Sequence, residues 1–246
     1  MQEHRSRMCA IIIPMPAPSI RARIRAEMID EIKTVARRHL AAEGANLSLR
    51  AVARDMSMVS SALYRYFASR DDLLTALILD GYNALGDAVE SADAAVTDRA
   101  QLRARWLSAT RAVRDWALAN PAEYALLYGS PVPGYAAPQD TIVAAARAPA
   151  VLARILTDGY ASGAVTGPGF RAAAPVPEAV RADLARTRDG IAPGLPEELM
   201  QAALTCWLQL FGVVSFELFG QMNNVIDARA EFFDRQMDLM ADLMGI

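Results

Sequence analysis

Apolar positions along this chain recur at intervals of three and four and seldom at two, so the pattern predicts helices nearly throughout and no sheet. Over residues 25–40, Met28, Ile32, Val35, Ala36 and Leu40 fall on one face, and Gly44 in "AAEGAN" supplies a C-terminal breaker. Ser48 reads as the N-cap of a second helix ending near Asp55 or Met56. Leu47 and Val52 take the N′ and N4 places of a hydrophobic staple around that cap. After "SMVS" comes a short element whose apolar anchors, Leu63 and Phe67, stand four apart. Ser69 and Asp72 then form a Ser-x-x-Asp cap ahead of Leu73, Leu74, Leu77, Ile78, Tyr82 and Leu85, the stripe of a long fourth helix.

Further along, Leu102, Trp106, Val113 and Ala117 mark a helix over residues 101–119. The next begins at "NPAE", with Asn120 as cap, Pro121 at the first helical position and Glu123 at N3, and stops at Gly129 before "SPVPGYAAP". A helix resumes near Asp140, which Pro149 should start, kink or split. Residues 163–196 hold a Gly/Pro-rich connection with a short helix, "PEAVRADLARTRD", inside it. Two long helices, over residues 196–220 and 224–244, finish the chain. Leu210, Phe211, Val214, Phe216, Leu218 and Phe219 are too many for one apolar face, which predicts burial on more than one side. The fold class is all-α.

At 246 residues and 53% hydrophobic composition the chain can bury a large core and is not disordered. Its net charge of -3 hides an asymmetry. Residues 1–70 carry 12 Lys and Arg against 6 Asp and Glu, a net of +6, while residues 71–246 carry 13 against 22, a net of -9. A basic front on an acidic body suits a chain whose first part meets a polyanion. Cys9 and Cys206 lie far apart, with neither disulfide nor zinc spacing. The N-terminal "MCAIIIPM" is short, Pro-broken and without a cleavage pattern, and no run of about 18 apolar residues follows. The expected location is the reducing cytoplasm, away from membranes.

Two short helices joined by a tight turn, the second bearing polar and aromatic residues outward, match a helix-turn-helix that enters the DNA major groove. Val52, Ala53, Met56, Leu63 and Phe67 form the packing set, and Ser60, Ser61, Tyr64 and Arg65 fall on the other side. Hydroxyls suit phosphate oxygens, and Arg65 could make a bidentate contact to guanine, worth about 1–3 kcal/mol of discrimination. Each tyrosine alone also admits a plain packing role.

The stretch "LSLRAVARDMSMVSSALYRYFASRDDLLTALI" resembles the N-terminal domain of the TetR/AcrR family of transcriptional regulators. The resemblance covers residues 25–80 and rests on Leu63-Tyr64-Arg65-Tyr66-Phe67, then Arg70 and Leu73-Leu74. It implies a three-helix DNA-binding domain over residues 23–80 and a larger effector-binding and dimerisation domain over residues 81–246. It implies a homodimer through the last two helices and repression released by a small molecule. By position, Ser48 and Arg50 would touch backbone or base, Ser60, Ser61, Ala62 and Arg65 would face the groove, and Tyr64, Tyr66 and Arg70 would hold phosphates. Ser57 stands where the family commonly has Gly, so a left-handed turn there would cost about 1 kcal/mol. Residues 1–22 are expected to be a disordered basic arm. With Arg21, Arg23 and Arg25 it either enters the minor groove or has no role.

"NPAEYALLYGSPVPGY" and "WLQLFGVVSFELFG" resemble the effector domain of one subgroup of that family. Candidate walls for a lipophilic or aromatic effector are Trp106, Trp116, Tyr124, Tyr128, Tyr160, Trp207 and Phe211, any of which could equally be simple core. Glu217 either faces solvent or bonds across a dimer. No convergent acid, base or nucleophile supports catalysis. His4 falls in the arm, His39 is expected to be solvated, and Asp71-Asp72 suits a helix N-terminus better than a metal. The expectation is a regulator of a palindromic double-stranded operator, without metal or cofactor. The alternatives are a regulator working through protein partners or a helical enzyme.

Overall fold

Ser19, Ser48 and Ser69 start helices by the same means, each hydroxyl accepting from the N–H three residues on, Ala22, Ala51 and Asp72 at 3.2, 3.4 and 3.1 Å. In this computed structural model, which describes residues 19–44, 47–169 and 176–246, these caps open α1 (Ile20–Glu43), α2 (Leu49–Asp55) and α4 (Arg70–Ala95). Between the last two lies α3 (Ser60–Leu63). α1 therefore begins earlier than the apolar pattern indicated, and Arg21, Arg23 and Arg25 are helical. The remainder of the expected arm, with His4 and Cys9, lies outside the described residues. Gly44 closes α1 at φ 61° and ψ -150°, backbone space that essentially only glycine enters, and its N–H returns to the Leu40 carbonyl at 2.9 Å.

The N-terminal domain closes around Ile32, Val35, Ala36, Leu47, Val52, Leu63, Phe67 and Leu73, all buried. Leu47 and Val52, at 2% and 0% exposure, are the two halves of the staple that sets the entry of α2. His39 is buried rather than solvated, because its Nε2 lies 2.8 Å from Asp55 Oδ2 and ties α1 to the end of α2. Val132 of the body also belongs to this core, with Leu126 and Tyr135 packed against it. The Tyr135 hydroxyl stands 2.9 Å from Thr75 Oγ1.

The body consists of the second half of α4 with α5 (Leu102–Ala119), α6 (Pro121–Tyr128), α7 (Thr141–Ala145), α8 (Arg147–Ala161), α9 (Glu178–Ile191), α10 (Glu197–Leu218) and α11 (Arg229–Met244). No strand occurs among the described residues. Pro149 falls in the first turn of α8, where a missing N–H loses no helical bond, and the break at Ala146 separates α7 from α8. Pro121 begins α6 as expected. Asn120, however, does not cap it: its side-chain amide donates backward to the Trp116 carbonyl at 2.8 Å and finishes α5.

Two buried carboxylates, Asp93 and Glu217, hold the body together through their arginine partners. Asp93 of α4, 1% exposed, accepts from Arg105 Nε at 2.8 Å, Arg99 Nη2 at 2.5 Å and Arg154 Nη2 at 3.3 Å, joining α4, α5 and α8. Glu217, expected at solvent or at a dimer seam, is instead buried against Arg114 of α5. Nε and Nη2 of that arginine reach its two oxygens at 2.8 and 2.6 Å. α10 is long and apolar enough to cross a membrane by length and composition alone, with a mean hydropathy of 1.5. Leu199, Cys206, Leu210 and Val214 nonetheless bury one face of it in the body core. Leu208 and Phe216 of α10 and Phe219 at its end are exposed in the single chain.

Candidate nucleic-acid interface

α2 ends in a hydrogen-bonded reversal. The Ser57 N–H donates to the Arg54 carbonyl at 3.0 Å and the Met58 N–H to the Ala53 carbonyl at 2.8 Å, the pair of bonds that closes a helix around a left-handed residue. Ser57 is that residue, with φ 54°. The reversal delivers Val59 to the start of α3, and Leu63 and Phe67 turn inward at 0% and 8% exposure. Regular helix ends at Leu63 rather than at Phe67. The Tyr66 and Phe67 N–H groups still bond back to the Leu63 carbonyl at 2.9 and 3.1 Å, so Tyr64, Arg65 and Tyr66 continue as a wound turn.

With those anchors fixed, Ser61, Tyr64 and Arg65 are exposed and Ser60 and Ala62 half-exposed. Ser48, Arg50, Tyr64 and Arg70 line one groove between the start of α2 and the α3–α4 turn, so sequence-separated candidates meet in space. Arg70 is anchored there through Nε to the Leu47 carbonyl at 3.1 Å. Ser48 is exposed although its hydroxyl serves as the cap. Tyr66 is differently placed. It packs on the domain core with the Arg25 guanidinium 5.1 Å from its ring centroid, and Arg25 Nη2 donates to the Arg65 carbonyl at 3.1 Å. Arg25 thereby braces the α3 turn, a role the sequence pattern gave no means of seeing.

Ion pairing separates the two halves of the chain. Each described arginine beyond Arg70 has a carboxylate, amide or carbonyl oxygen within reach of its guanidinium. In the N-terminal domain, Arg21, Arg38, Arg50 and Arg65 have no such partner among the described residues. Internal partners thus take up the described arginines of the body, while these four cations of the N-terminal domain stay bare and give it a surface suited to an anionic polymer.

Residues 32–77 match the family described as bacterial regulatory proteins, tetR family, and residues 106–240 match the tetracyclin repressor-like, C-terminal domain. The HTH-type transcriptional regulator Rv1816 of Mycobacterium tuberculosis (strain H37Rv) is 37% identical over 225 residues, which span 87% of this chain and 91% of the relative. The chain belongs to the TetR family. It is a DNA-binding transcriptional regulator. Among solved structures, the regulatory protein SCO4313 is 34% identical with a TM-score of 0.72, covering 90% of this chain and 98% of its own. A tetR-family regulatory protein from Rhodococcus RHA1 shares the fold at 18% identity and a TM-score of 0.60, over 88% of this chain and 96% of that one.

In this TetR-family chain the second candidate site is a cavity of about 300 Å³ among α5, α8, α9, α10 and α11. Trp106 and Trp207 line it, whereas Trp116, Tyr124, Tyr128, Tyr160 and Phe211 do not. Tyr160 is a surface residue, 40% exposed. Tyr124, Tyr128 and Phe211 join Tyr82 in an aromatic cluster, with Tyr128 4.4 Å from Phe211 and 6.0 Å from Tyr82 between ring centroids. Burial pushes the Tyr128 phenol well above its ordinary pKa, aided by the neighbouring tyrosines, so it remains a neutral core group. Trp207 lies 5.6 Å from Phe211 and links cavity to cluster. The rest of the wall is aliphatic, including Leu152, Ile191, Met200 and Leu204, residues that carry no signal in a sequence beyond hydrophobicity.

Proposed function

We propose that the protein is a dimeric repressor, acting in the cytoplasm, that leaves a palindromic operator when a lipophilic or aromatic small molecule occupies the body. The unpaired Arg50 and Arg65 on the helix-turn-helix face carry the first half of this reading. Arg65, Ser60, Ser61 and Ala62 would meet the major groove, and Ser48, Tyr64 and Arg70, grouped in one groove, would take phosphates. Tyr66 would reach a phosphate only through its hydroxyl edge, since its ring is packed under Arg25. A second copy against exposed Leu208, Phe216 and Phe219 would pair the α10 and α11 helices and set two recognition elements about 34–36 Å apart. Nothing in this arrangement calls for catalysis, metal or cofactor.

The signal route supported by contacts runs through α6. Tyr128 on that helix touches the aromatic cluster, Leu126 packs against the N-terminal core, and Arg37 of α1 lies 3.8 Å from Glu123. A ligand that binds one placement of α6 better than another shifts the spacing of the two recognition elements. The test is selection of bound duplexes from a random pool, followed by anisotropy titrations of the enriched duplex in rising salt. The expected outcome is a palindrome, a log–log slope of about -0.9 per phosphate neutralised, and loss of about 1–3 kcal/mol of base discrimination in Arg65→Ala. Salt-independent binding, or a monomer at the concentrations used, refutes the reading.

A further inference from the structure

The cavity among α5, α8, α9, α10 and α11 is unusual in what its wall lacks. Among the described residues, no Asp, Glu, Lys, Arg or His lines it. Its polar groups are few and mostly occupied. The Trp106 indole N–H donates to the Met237 carbonyl at 2.8 Å, and the Thr187 hydroxyl donates to the Asp183 carbonyl at 3.0 Å. Trp207 differs, because its indole Nε1 is buried and has no hydrogen-bond partner, the one such side-chain nitrogen or oxygen among the described residues. A buried donor in that condition is rare, and an ordered water or a bound ligand is what ordinarily accepts from it.

We propose that the effector is a compact, uncharged, mostly apolar molecule bearing one strong hydrogen-bond acceptor, such as a ketone, ester or lactone carbonyl, and that Trp207, whose ring lines the cavity, turns its buried Nε1 toward the ligand and donates to that acceptor. This rests on the reading of the body as an effector domain and narrows it to a chemical class. A volume of about 300 Å³ lies at the small end of ligand pockets, which sets the size. Among the described wall residues a carboxylate or phosphate would find no cation to offset its lost hydration, and an ammonium would find no anion and leave the Trp207 N–H unanswered. The aliphatic and aromatic wall supplies the remaining affinity by removing apolar ligand surface from water. The lone donor fixes orientation.

Four probes of one shape separate these terms: benzophenone has the acceptor, diphenylmethane lacks it, and diphenylacetate and benzhydrylammonium add opposite charges. Calorimetric titration into the full-length protein should show benzophenone binding about tenfold tighter than diphenylmethane, the size of one neutral hydrogen bond, and both charged probes weaker than benzophenone. Trp207→Phe, which keeps a ring and removes the donor, should abolish that tenfold preference, whatever affinity the smaller ring costs both neutral probes alike. In the unsubstituted protein, the Trp207 indole N–H proton resonance should move downfield with benzophenone and not with diphenylmethane, a readout independent of how the variant folds. The proposal is overturned if the preference survives Trp207→Phe, if a charged probe binds as tightly as benzophenone, if the resonance fails to move, or if none of the four binds. Release of the selected duplex is a separate readout. Benzophenone binding with the Trp207 signature and no change in DNA affinity would sink the release mechanism and leave the ligand class standing.

Discussion

Replacing Ser57 by glycine should make the protein more stable, although it deletes a hydroxyl and adds no contact. Ser57 holds φ 54° at the α2–α3 turn, its side chain is exposed, and its N–H closes the reversal onto the Arg54 carbonyl. For an L-residue the left-handed region costs about 1–2 kcal/mol, which glycine does not incur. Against that stands glycine's freer unfolded chain, a loss of about 0.4–1 kcal/mol. The difference leaves a gain of about 0.5–1 kcal/mol, or about 1–4 °C in melting temperature for a chain of this length. Thermal melts followed by circular dichroism, with hydrogen exchange at the Ser57 and Met58 amides, would measure it globally and locally. Ser57→Ala is the control. It removes the hydroxyl and keeps Cβ, so it should gain nothing. Equal stabilisation by alanine and glycine, or a lower melting temperature for the glycine variant, would show that the backbone angle is not the source.

Arg114→Ala should destabilise the body by about 3–5 kcal/mol, because it strands the buried Glu217 carboxylate. Joint replacement, Arg114→Met with Glu217→Leu, should recover most of that loss in urea titrations. Burial alone would raise the pKa of Asp93, but the hydrogen bonds from Arg105 and Arg99 overcome it and hold the carboxyl below its ordinary 3.8. A depressed carboxylate stabilises the fold above its unfolded pKa, and that contribution is lost as pH falls through the folded value. Urea midpoints should therefore drop most steeply below about pH 4, and less steeply in Asp93→Asn. Cys206 is buried, its thiol pKa is pushed up to about 12, and its Sγ lies 3.5 Å from the Met240 carbonyl. Peptide mapping after iodoacetamide should find it unmodified in the native protein and modified in denaturant.

The legible parts of this molecule were those whose cause lies within a few residues. Ser48 and Ser69 announce helix starts through bonds that span three positions, and Gly44 announces an end through its own backbone angle. The spacing of Leu63 and Phe67 places Arg65 outward without reference to the rest of the fold. Asn120 shows the limit even of local signals, because the same amide can serve the helix before it or the one after it. Glu217 and Arg114 are 103 positions apart, and nothing near either residue names the other. The cavity was hidden for a different reason. It exists where Ala153, Ala192 and Ala203 leave space between larger neighbours, and a sequence records atoms rather than gaps. Choosing aromatic residues as its wall therefore gathered Trp106 and Trp207, which line the cavity, with packed aromatics such as Tyr124 and with the exposed Tyr160.

Val132, Leu126 and Tyr135 seal the N-terminal core from the far side of a domain boundary. The reading head of this regulator is consequently not a detachable module. Grafting residues 19–80 onto another body would expose the apolar seat that Val132 fills and leave the Thr75 hydroxyl without Tyr135. A working chimaera would have to carry residues 121–135 along with the head, or borrow a body whose own loop restores that seat. The outward residues of α3 stand clear of that seat and could be replaced without disturbing it, whereas the domain behind them comes away only together with the piece of body that completes it.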